Sequence, residues 1–372
     1  MMREPLHVAA RHRHAMRSIN EVAATISSQA VRRGISGSAN GRAGVAQPSA
    51  RGATRARRPA PSRSTPLPAA DLAHRSRYRR SMHWTANTLQ WVRGLGGKSG
   101  VGSRLRSDTA NLYYLRGRRP GPALRMYWYD HRRNFGDLLN PWLARRLGFW
   151  PVRASLVQAD VIGVGSVLDG LPESSRASIW GAGRMLEEGP RVLPAGPILA
   201  LRGALTRDLL GAPGKTPLGD PGLLVGRFTR RLPQHYSIGV VPHLSHFGIP
   251  TFRSFVAAVP GSVLVDVAGS PDRVIRTVSR CGAIVTSSLH GLVIADAFGI
   301  PATWVMPEPL LLGGSFKFRD YLSAFGAKDG RQTDADDVAA GTLNLGTVSA
   351  SAVQVIQDCL LSQVPRFSAP RA

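Results

Sequence analysis

Cysteine, long apolar runs and acidic residues are all scarce in this chain. Cys281 and Cys359 are too few for a disulfide framework or a cysteine-based zinc site, so we expect a reducing compartment. No run of about 18 apolar residues occurs, so no transmembrane helix is predicted. The N-terminus also lacks the continuous apolar core of a secretory signal. These absences predict a cytoplasmic location, with a position at the inner face of the membrane left open.

The shortage of acidic residues is concentrated at the N-terminal end. The chain has 48 Lys and Arg against 23 Asp and Glu, for a net charge of +25. Residues 1–110 hold 20 of the basic and four of the acidic residues. This segment is rich in Pro, Ala, Ser and Arg and has little to bury, so we predict a disordered basic extension. We favour a dispensable extension, or a translation start at Met82 or Met126, over a functional arm.

A basic extension also suits a protein that binds nucleic acid or anionic lipid through it. That alternative predicts binding that weakens steeply with salt and persists in the isolated segment. We expect no nucleic-acid partner. The rest of the chain still holds 28 basic and 19 acidic residues, which is compatible with an acidic ligand or with peripheral contact to an anionic membrane surface.

Apolar runs of strand length alternate with helical patterns from about residue 120. The predicted strands lie within 123–130, 159–168, 177–183, the first part of 196–211, 236–243, 262–269, 282–288 and 301–306. The predicted helices lie near 135–148, the second part of 196–211, 271–280, 291–299 and 351–363. Pro141 predicts that the first helix either starts there or kinks.

The strands are near-continuous apolar runs, as expected for a parallel sheet whose two faces are covered by helices. Their alternation with helices indicates an α/β fold of βαβ units. Two such series predict two Rossmann-like domains facing a cleft, at residues 120–235 and 236–365. The second ends in a helix that places Val353, Ile356 and Leu360 on one face.

Ligands of open parallel sheets bind beyond the carboxyl ends of the strands, and this rule selects the stretch "TSSLHG". His290 follows an apolar strand, and Gly291 is predicted to open the next helix. A helix N-terminus favours a phosphate or carboxylate, to which Ser287 and Ser288 would add hydrogen bonds. In the alternative interpretation a serine caps the helix and His290 only fills space.

The same rule selects further polar residues that follow strands. Arg202 suits bidentate contact with a phosphate or carboxylate, or else forms a structural ion pair. Asp137 suits a catalytic base, or else an ordinary helix-dipole partner. The other residues predicted to line the pocket are Asn134, Asp220, His243 and Lys317.

Several familiar motifs are missing. The stretches "GVGSVLDG" and "GAGRMLEEG" lack the third glycine of a dinucleotide-binding loop, and neither a P-loop nor a nucleophile elbow occurs. His243 and His246 are three residues apart, but no HExxH pattern or carboxylate partner supports a metal site. We therefore expect no cofactor and no metal.

One family shows similar blocks in the same order. The blocks are "NFGDLLNPWL", "IGVGSVL", "IWGAG", "LRGALTRDLLG", "GDPGLL", "GVVPH", "SSLHGLVIADAFGIP" and "FKFRDYL". Over residues 124–325 the sequence resembles the polysaccharide pyruvyl transferase family. That resemblance implies a fold similar to two-domain, GT-B-like glycosyltransferases. It also implies transfer of pyruvate from phosphoenolpyruvate, as a ketal, onto two hydroxyls of a sugar or lipid-linked glycan in a bacterial exopolysaccharide, capsule or cell wall.

The resemblance also suggests roles for the selected residues. His290 would be the general acid and would steady the phosphate. Asp137 would be the base for a sugar hydroxyl, and Arg202 would hold the carboxylate or phosphate of the donor. The rival hypothesis is a glycosyltransferase of the same fold that uses a nucleotide-sugar donor. It would need a ribose-binding carboxylate, and the second series of strands offers no clear one.

Overall fold

Two parallel sheets organise the part of the chain that a computed structural model describes, residues 121–189, 193–327 and 330–368. The predicted extension at 1–110 lies outside these residues. The first sheet has the order β2-β1-β3-β4-β5. Its strands are β1 (Ala123–Tyr127), β2 (Trp150–Arg153), β3 (Val161–Ile162), β4 (Ser178–Trp180) and β5 (Ile198–Ala200). The α/β class with parallel sheets is thus confirmed.

The second sheet has the order β7-β6-β8-β9 and is also parallel. Its strands are β6 (Tyr236–Val241), β7 (Val263–Leu264), β8 (Cys281–Thr286) and β9 (Ala302–Trp304). In each sheet the chain first adds a strand on one side and then crosses to the other. The order therefore reverses between β1 and β3 and between β6 and β8, the positions at which α/β sheets usually bind ligands.

Nine α-helices connect and flank the strands in the described residues. They are α1 (Phe135–Arg146), α2 (Ala204–Leu210), α3 (Val225–Phe228), α4 (Pro250–Ala258), α5 (Pro271–Val278), α6 (Leu289–Ala297), α7 (Phe316–Ser323), α8 (Ala335–Ala340) and α9 (Ala350–Ser362). Short 3-10 helices span Leu168–Gly170, Pro221–Leu224, Leu244–His246 and Val364–Ser368. None of the helices described here has the length and apolar character needed to cross a membrane.

Helix α1 runs through Pro141, so the predicted start at that proline is wrong. A proline inside a helix leaves the carbonyl four residues earlier without its N–H donor. Here the Asn140 amide donates to the Asp137 carbonyl at 3.2 Å and replaces part of the missing bond. The same amide exchanges hydrogen bonds of 2.8 Å with the backbone of Val164. Asn140 thereby holds α1 against the loop that follows β3.

The largest buried apolar cluster is shared by both sheets. It contains Leu124 and Trp180 from the first sheet and Ile284 and Trp304 from the second, packed against α1, α5, α6 and α9. Two smaller clusters cover the opposite face of each sheet. The predicted division into two Rossmann-like domains at residue 235 stays a prediction. The described structure shows two sheets joined by one continuous core.

The C-terminal helix α9 packs on residues from the first half of the chain. Val353, Ile356 and Leu360 are all buried, as the sequence pattern predicts. The Trp180 indole donates to the Leu360 carbonyl at 3.1 Å, and the Gln357 amide donates to the Leu223 carbonyl at 2.7 Å. The helix therefore ties the chain's end to the first sheet rather than only covering the second.

Candidate active site

The N-terminus of α1 lies where the two sheets meet. The Phe135 amide donates to the Val267 carbonyl, beyond β7, at 2.9 Å. Further along α1, the Trp142 indole donates to Asp272 at the start of α5 at 2.9 Å. These bonds hold the first turn of α1 beside the carboxyl ends of β6 and β8. The polar residues that follow strands in both sheets are thereby brought to one place.

The turn between β8 and α6 is built by Thr286 and Ser287. The Thr286 hydroxyl donates to the Val241 carbonyl and accepts from the Ser288 amide at 2.9 Å. Helix α6 begins at Leu289, so the predicted helix start at Gly291 is two residues late. The Gly291 amide donates to the Ser288 carbonyl, and a Cβ there would lie 2.4 Å from the Thr286 hydroxyl. Gly291 allows close packing of α6 on β6 and does not present a free N–H to a ligand.

Ser287 is committed to a histidine pair rather than to a ligand, which corrects its predicted substrate contact. Its hydroxyl accepts from the His243 amide at 2.8 Å and lies 3.0 Å from His246 Nδ1. His246 Nε2 lies 2.9 Å from the Pro309 carbonyl, so Nε2 must carry the proton and Ser287 must donate to Nδ1. Ser287 has no exposed surface, and Ser288 makes no side-chain cap to α6.

His243 lies at the edge of this network and is half-buried. Its Nδ1 accepts from the Ser245 amide at 3.2 Å, which caps the short helix Leu244–His246. Burial lowers the His243 pKa to about 3, with the nearby Lys317 charge acting in the same direction. His243 is therefore a neutral ring at pH 7, available to a ligand as a hydrogen-bonding group and not as a cation.

His290 occupies the first turn of α6 and is 9% exposed. Its Nε2 lies 3.9 Å from Asp220 Oδ2. On the other side the ring lies against Gly136, where a Cβ would come within 2.2 Å of His290 Nδ1. The Phe135 ring meets the imidazole edge to face at 6.5 Å between centroids. His290 is thus held between the first turn of α1 and a buried carboxylate.

Asp220 has no exposed surface, so its predicted place among the substrate contacts is corrected by the structure. Its Oδ1 accepts from the Gly222 amide at 2.8 Å and caps the short helix Pro221–Leu224. Burial raises the Asp220 pKa to about 6, although the Gly222 bond and the Arg202 charge oppose the rise. The carboxylate faces His290 and no open space.

Arg202 is also fully buried, and the structure corrects its predicted contact with the donor. Its Nε donates to Asp320 Oδ2 at 2.8 Å, and neither side chain has any exposed surface. The other two nitrogens donate to the Ser166 hydroxyl and the Arg184 carbonyl. Each nitrogen of the guanidinium thus has a partner within the protein. It acts on the site only through its charge, which contributes to lowering the pKa of His290 and of Lys317.

Lys317 is the cation that remains available. It is 6% exposed, and its ammonium lies 5.4 Å from the centre of the Phe318 ring, with no hydrogen bond or ion pair to it within the described residues. Burial lowers its pKa to about 8, the Arg202 charge adds to the decrease, and Asp137 opposes it. Lys317 also lies close enough to His243, His246 and His290 to lower their pKa values. It therefore occupies the centre of the group of titratable residues.

Asp137 and Asn134 form the first turn of α1. Asn134 caps the helix by accepting from the Gly136 amide, and its own amide donates to Asp137 Oδ2, both at 3.1 Å. Desolvation raises the Asp137 pKa to about 7, against the opposing effects of Asn134 and Lys317. Part of the Asp137 surface is still accessible. This carboxyl therefore retains a proton to a much higher pH than an ordinary aspartate and can reach a ligand.

The directions of the pKa shifts favour the opposite division of the roles suggested for Asp137 and His290. Burial, with the charges of Arg202 and Lys317, lowers the His290 pKa to about 3. The imidazole is therefore neutral at pH 7, so it does not carry the extra proton of an acid and keeps one ring nitrogen with a free lone pair. Asp137 is the group that retains a proton near neutrality. Two titratable groups whose pKa values are shifted apart by their environments often act as the general acid and the general base of one reaction.

Three residues that organise the site were not selected from the sequence for that purpose. Gly136 allows the imidazole to approach α1, Thr286 forms the turn before α6, and Asp320 holds Arg202. A glycine at a helix start was a visible signal for close approach. Asp320 and Arg202 are 118 positions apart, and no local pattern joins them.

Comparison with known proteins identifies the region that carries most of these residues. Residues 198–309 match the family described as polysaccharide pyruvyl transferase. The predicted resemblance to the polysaccharide pyruvyl transferase family is confirmed. The match includes Arg202, Asp220, His243 and His290, whereas Asp137 and Lys317 lie outside it.

Two curated proteins are similar to this chain. The succinoglycan biosynthesis protein ExoV of Rhizobium meliloti (strain 1021) is 31% identical over 212 residues, which cover 54% of this chain and 64% of ExoV. The uncharacterized protein L143 of Acanthamoeba polyphaga mimivirus is 35% identical over 115 residues, 29% of this chain and 40% of L143. The matched part of the chain thus spans just under two thirds of the length of ExoV and two fifths of the length of L143.

A solved structure of an alpha-glucosyltransferase in complex with UDP and a 13-mer DNA containing a HMU base also aligns with the chain. The alignment covers 66% of this chain and 96% of that one, at 7% identity and a TM-score of 0.25. A likeness at that score adds nothing to the description of the fold.

Proposed function

We propose that this protein transfers the pyruvyl group of phosphoenolpyruvate onto two hydroxyls of one sugar, forming a ketal in a bacterial exopolysaccharide. Two findings support the proposal: the match to the polysaccharide pyruvyl transferase family and the similarity to a succinoglycan biosynthesis protein. The acceptor is a glycan, free or lipid-linked. The two-domain, GT-B-like arrangement and a cytoplasmic location beside the inner membrane face belong to the same proposal.

The observation that carries the proposal is Lys317, a buried ammonium with no carboxylate or carbonyl bound to it among the described residues. A buried cation without a partner is costly unless a ligand supplies the opposite charge. Phosphoenolpyruvate carries a phosphate and a carboxylate. The first turn of α6, which carries His290, adds the positive end of a helix dipole. Together these groups suit an anion of that charge.

The accessible Asp137 and the neutral His290 fit the proton transfers of ketal formation. A proton moves from the Asp137 carboxyl to the methylene carbon of the donor, which makes C2 electrophilic. A sugar hydroxyl attacks C2 while His290 takes the hydroxyl proton. The C2–O bond to phosphate then breaks, and inorganic phosphate leaves with the proton that His290 took up. The second hydroxyl closes the ring at C2 as its proton passes to the Asp137 carboxylate, which restores both groups.

Lys317→Met tests whether this ammonium binds the donor. We expect the rise in melting temperature that phosphoenolpyruvate causes to disappear, and KM for phosphoenolpyruvate to increase by roughly 10- to 100-fold, since a hydrogen bond to a charged group contributes about 1.5–3 kcal/mol. The unliganded variant should melt no lower than the wild type, because methionine removes an ammonium that the interior disfavours. Differential scanning fluorimetry and steady-state kinetics measure both effects.

The exposed Lys215 provides the matched control, and Lys215→Met should leave donor binding unchanged. A wild-type protein that is stabilised by a nucleotide sugar and not by phosphoenolpyruvate would contradict the proposed donor. Such a result would favour the glycosyltransferase alternative. A Lys317→Met variant that keeps the full response to phosphoenolpyruvate would remove Lys317 from the binding site.

Gly136→Ala tests the contact between α1 and the imidazole. The new methyl group would stand 2.2 Å from His290 Nδ1, too close for either atom to stay in place. We expect a folded protein, since alanine is the better helix former, with kcat reduced by roughly 100-fold because a displacement of about 1 Å in a catalytic group has that effect. Gly214→Ala is the control, because a Cβ at Gly214 meets nothing within 4 Å. Equal activity in the two variants would place the chemistry elsewhere.

A further inference from the structure

Two buried polar atoms face each other in the site without a hydrogen bond. Asp220 Oδ2 and His290 Nε2 are both inaccessible to solvent, and neither has a hydrogen-bond partner within the described residues. They are 3.9 Å apart. Burial of an unsatisfied acceptor or donor costs free energy, and nearly all such atoms in proteins are paired. Each of these two atoms is the partner that the other lacks.

The carboxylate is held firmly on its other side. Asp220 Oδ1 accepts from the Gly222 amide at 2.8 Å, so the side chain cannot turn away without uncapping the helix Pro221–Leu224. Asp220 has no exposed surface and cannot reach a substrate. Its remaining oxygen has His290 as the nearest titratable partner recorded for it. Direct contact of Asp220 with the reacting groups is therefore made through the imidazole.

The imidazole has a different environment at each nitrogen. Nε2 faces the buried Asp220, whereas Nδ1 lies beside Gly136 in the first turn of α1, where Asp137 is partly accessible. A carboxylate accepts hydrogen bonds only, so it favours the tautomer that carries its proton on Nε2. The lone pair of Nδ1 is then directed to the side on which the accessible groups lie.

We propose that Asp220 is a positioning residue for His290: it accepts the Nε2–H proton, selects that tautomer and leaves Nδ1 as the proton acceptor. The 3.9 Å separation shortens to hydrogen-bond length when a ligand fills the site, as separations between catalytic groups commonly do. The role of Nδ1 as the proton acceptor during catalysis rests on the proposed function. The assignment of the tautomer does not rest on that function, because it follows from the pairing of Asp220 with His290 alone.

The variant Asp220→Asn tests the tautomer of His290 separately from the catalytic role of its Nδ1. The amide oxygen can still accept from the Gly222 amide, so the helix cap and the side-chain volume are retained. The NH2 group that replaces Oδ2 donates only, so it forces Nε2 to become the acceptor and moves the ring proton to Nδ1. The substitution therefore reverses the tautomer while it leaves the surrounding fold in place.

The measurement is a long-range 1H–15N correlation spectrum of the full chain with 15N-labelled histidine. His290→Gln assigns the His290 signals among the ten histidines. We expect a protonated Nε2 in the wild type and a protonated Nδ1 in Asp220→Asn. Asp208→Asn, which changes an exposed carboxylate paired with Arg207, should leave the His290 signals unchanged. A protonated Nδ1 in the wild type, or the same tautomer in both proteins, would overturn the proposal.

The kinetic consequence is measured separately. If the protein transfers pyruvate as proposed, Asp220→Asn should lower kcat by roughly 100-fold or more, with KM for phosphoenolpyruvate within about twofold, because the wrong tautomer affects the transition state and not donor binding. An unchanged kcat would contradict a positioning role. A tautomer reversal in a protein that shows no pyruvyl transfer would support the pairing and refute the function.

Discussion

Acceptor-dependent release of phosphate from phosphoenolpyruvate should fall by roughly 100- to 10,000-fold in His290→Ala, the usual contribution of a general acid or base. His290 is the one imidazole in the described residues that contacts both the start of α1 and a buried carboxylate. The loss should appear in kcat, because Lys317 and the start of α6 remain to bind the donor. Phosphate release with a panel of acceptor glycans measures it.

A loss of fold would imitate this result, so the variant needs two checks. Circular dichroism and the melting temperature should remain close to those of the wild type, since the removed ring was an unsatisfied buried polar group. His235→Ala changes an exposed histidine and should retain full activity. If folded His290→Ala kept more than about a tenth of the wild-type rate, proton transfer by this imidazole would be ruled out.

Replacing Arg202 by methionine should have the largest effect on stability. The change leaves Asp320 as a buried carboxylate without its cation, and removal of one member of a buried ion pair costs about 3–5 kcal/mol. The Ser166 hydroxyl and the Arg184 carbonyl would lose their donor as well. For a folded region of this size we expect the melting temperature to drop on the order of 10 °C, as measured by calorimetry.

A double substitution distinguishes the effect of losing the ion pair from the effect of losing the packing of the arginine side chain. Adding Asp320→Asn removes the orphaned charge, so Arg202→Met with Asp320→Asn should be more stable than Arg202→Met alone. Arg207→Met is the control at a partly exposed arginine of α2 and should shift the melting temperature little. An Arg202→Met protein with wild-type stability and a raised KM for phosphoenolpyruvate would instead restore Arg202 as a donor ligand.

All strands except β2, and their parallel arrangement, could be predicted from the sequence because each is a short apolar run and helices follow at the expected spacing. The short segment of β2, Trp150–Arg153, alternates apolar and other residues and gave no such run. His290 could be selected for a related reason: it follows a strand at the edge where ligands bind. Both inferences depend on residues close together in the chain. The alternative start of α1 at Pro141 was wrong because Asn140 compensates Pro141 through a side-chain bond that propensity rules do not include.

The errors at the site have a different physical origin. An arginine after a strand can bind a ligand or an internal carboxylate, and only the three-dimensional fold brings Asp320 to Arg202. The proton states of Asp137 and His290 depend on burial and on charges contributed by distant segments. The pairing of Asp220 with His290 likewise joins residues 70 positions apart. Local sequence identified these residues but could not assign them partners.

The measurement that tests the central claim most directly follows both products of the wild-type protein, mixed with phosphoenolpyruvate and a panel of acceptor glycans. Inorganic phosphate is measured by a coupled assay and the glycan by 1H NMR. The account predicts phosphate release only with an accepted glycan, in equal amount to a new methyl singlet of the pyruvate ketal. A nucleotide sugar that gives a glycosylated product in the same panel, with phosphoenolpyruvate left intact, would contradict it.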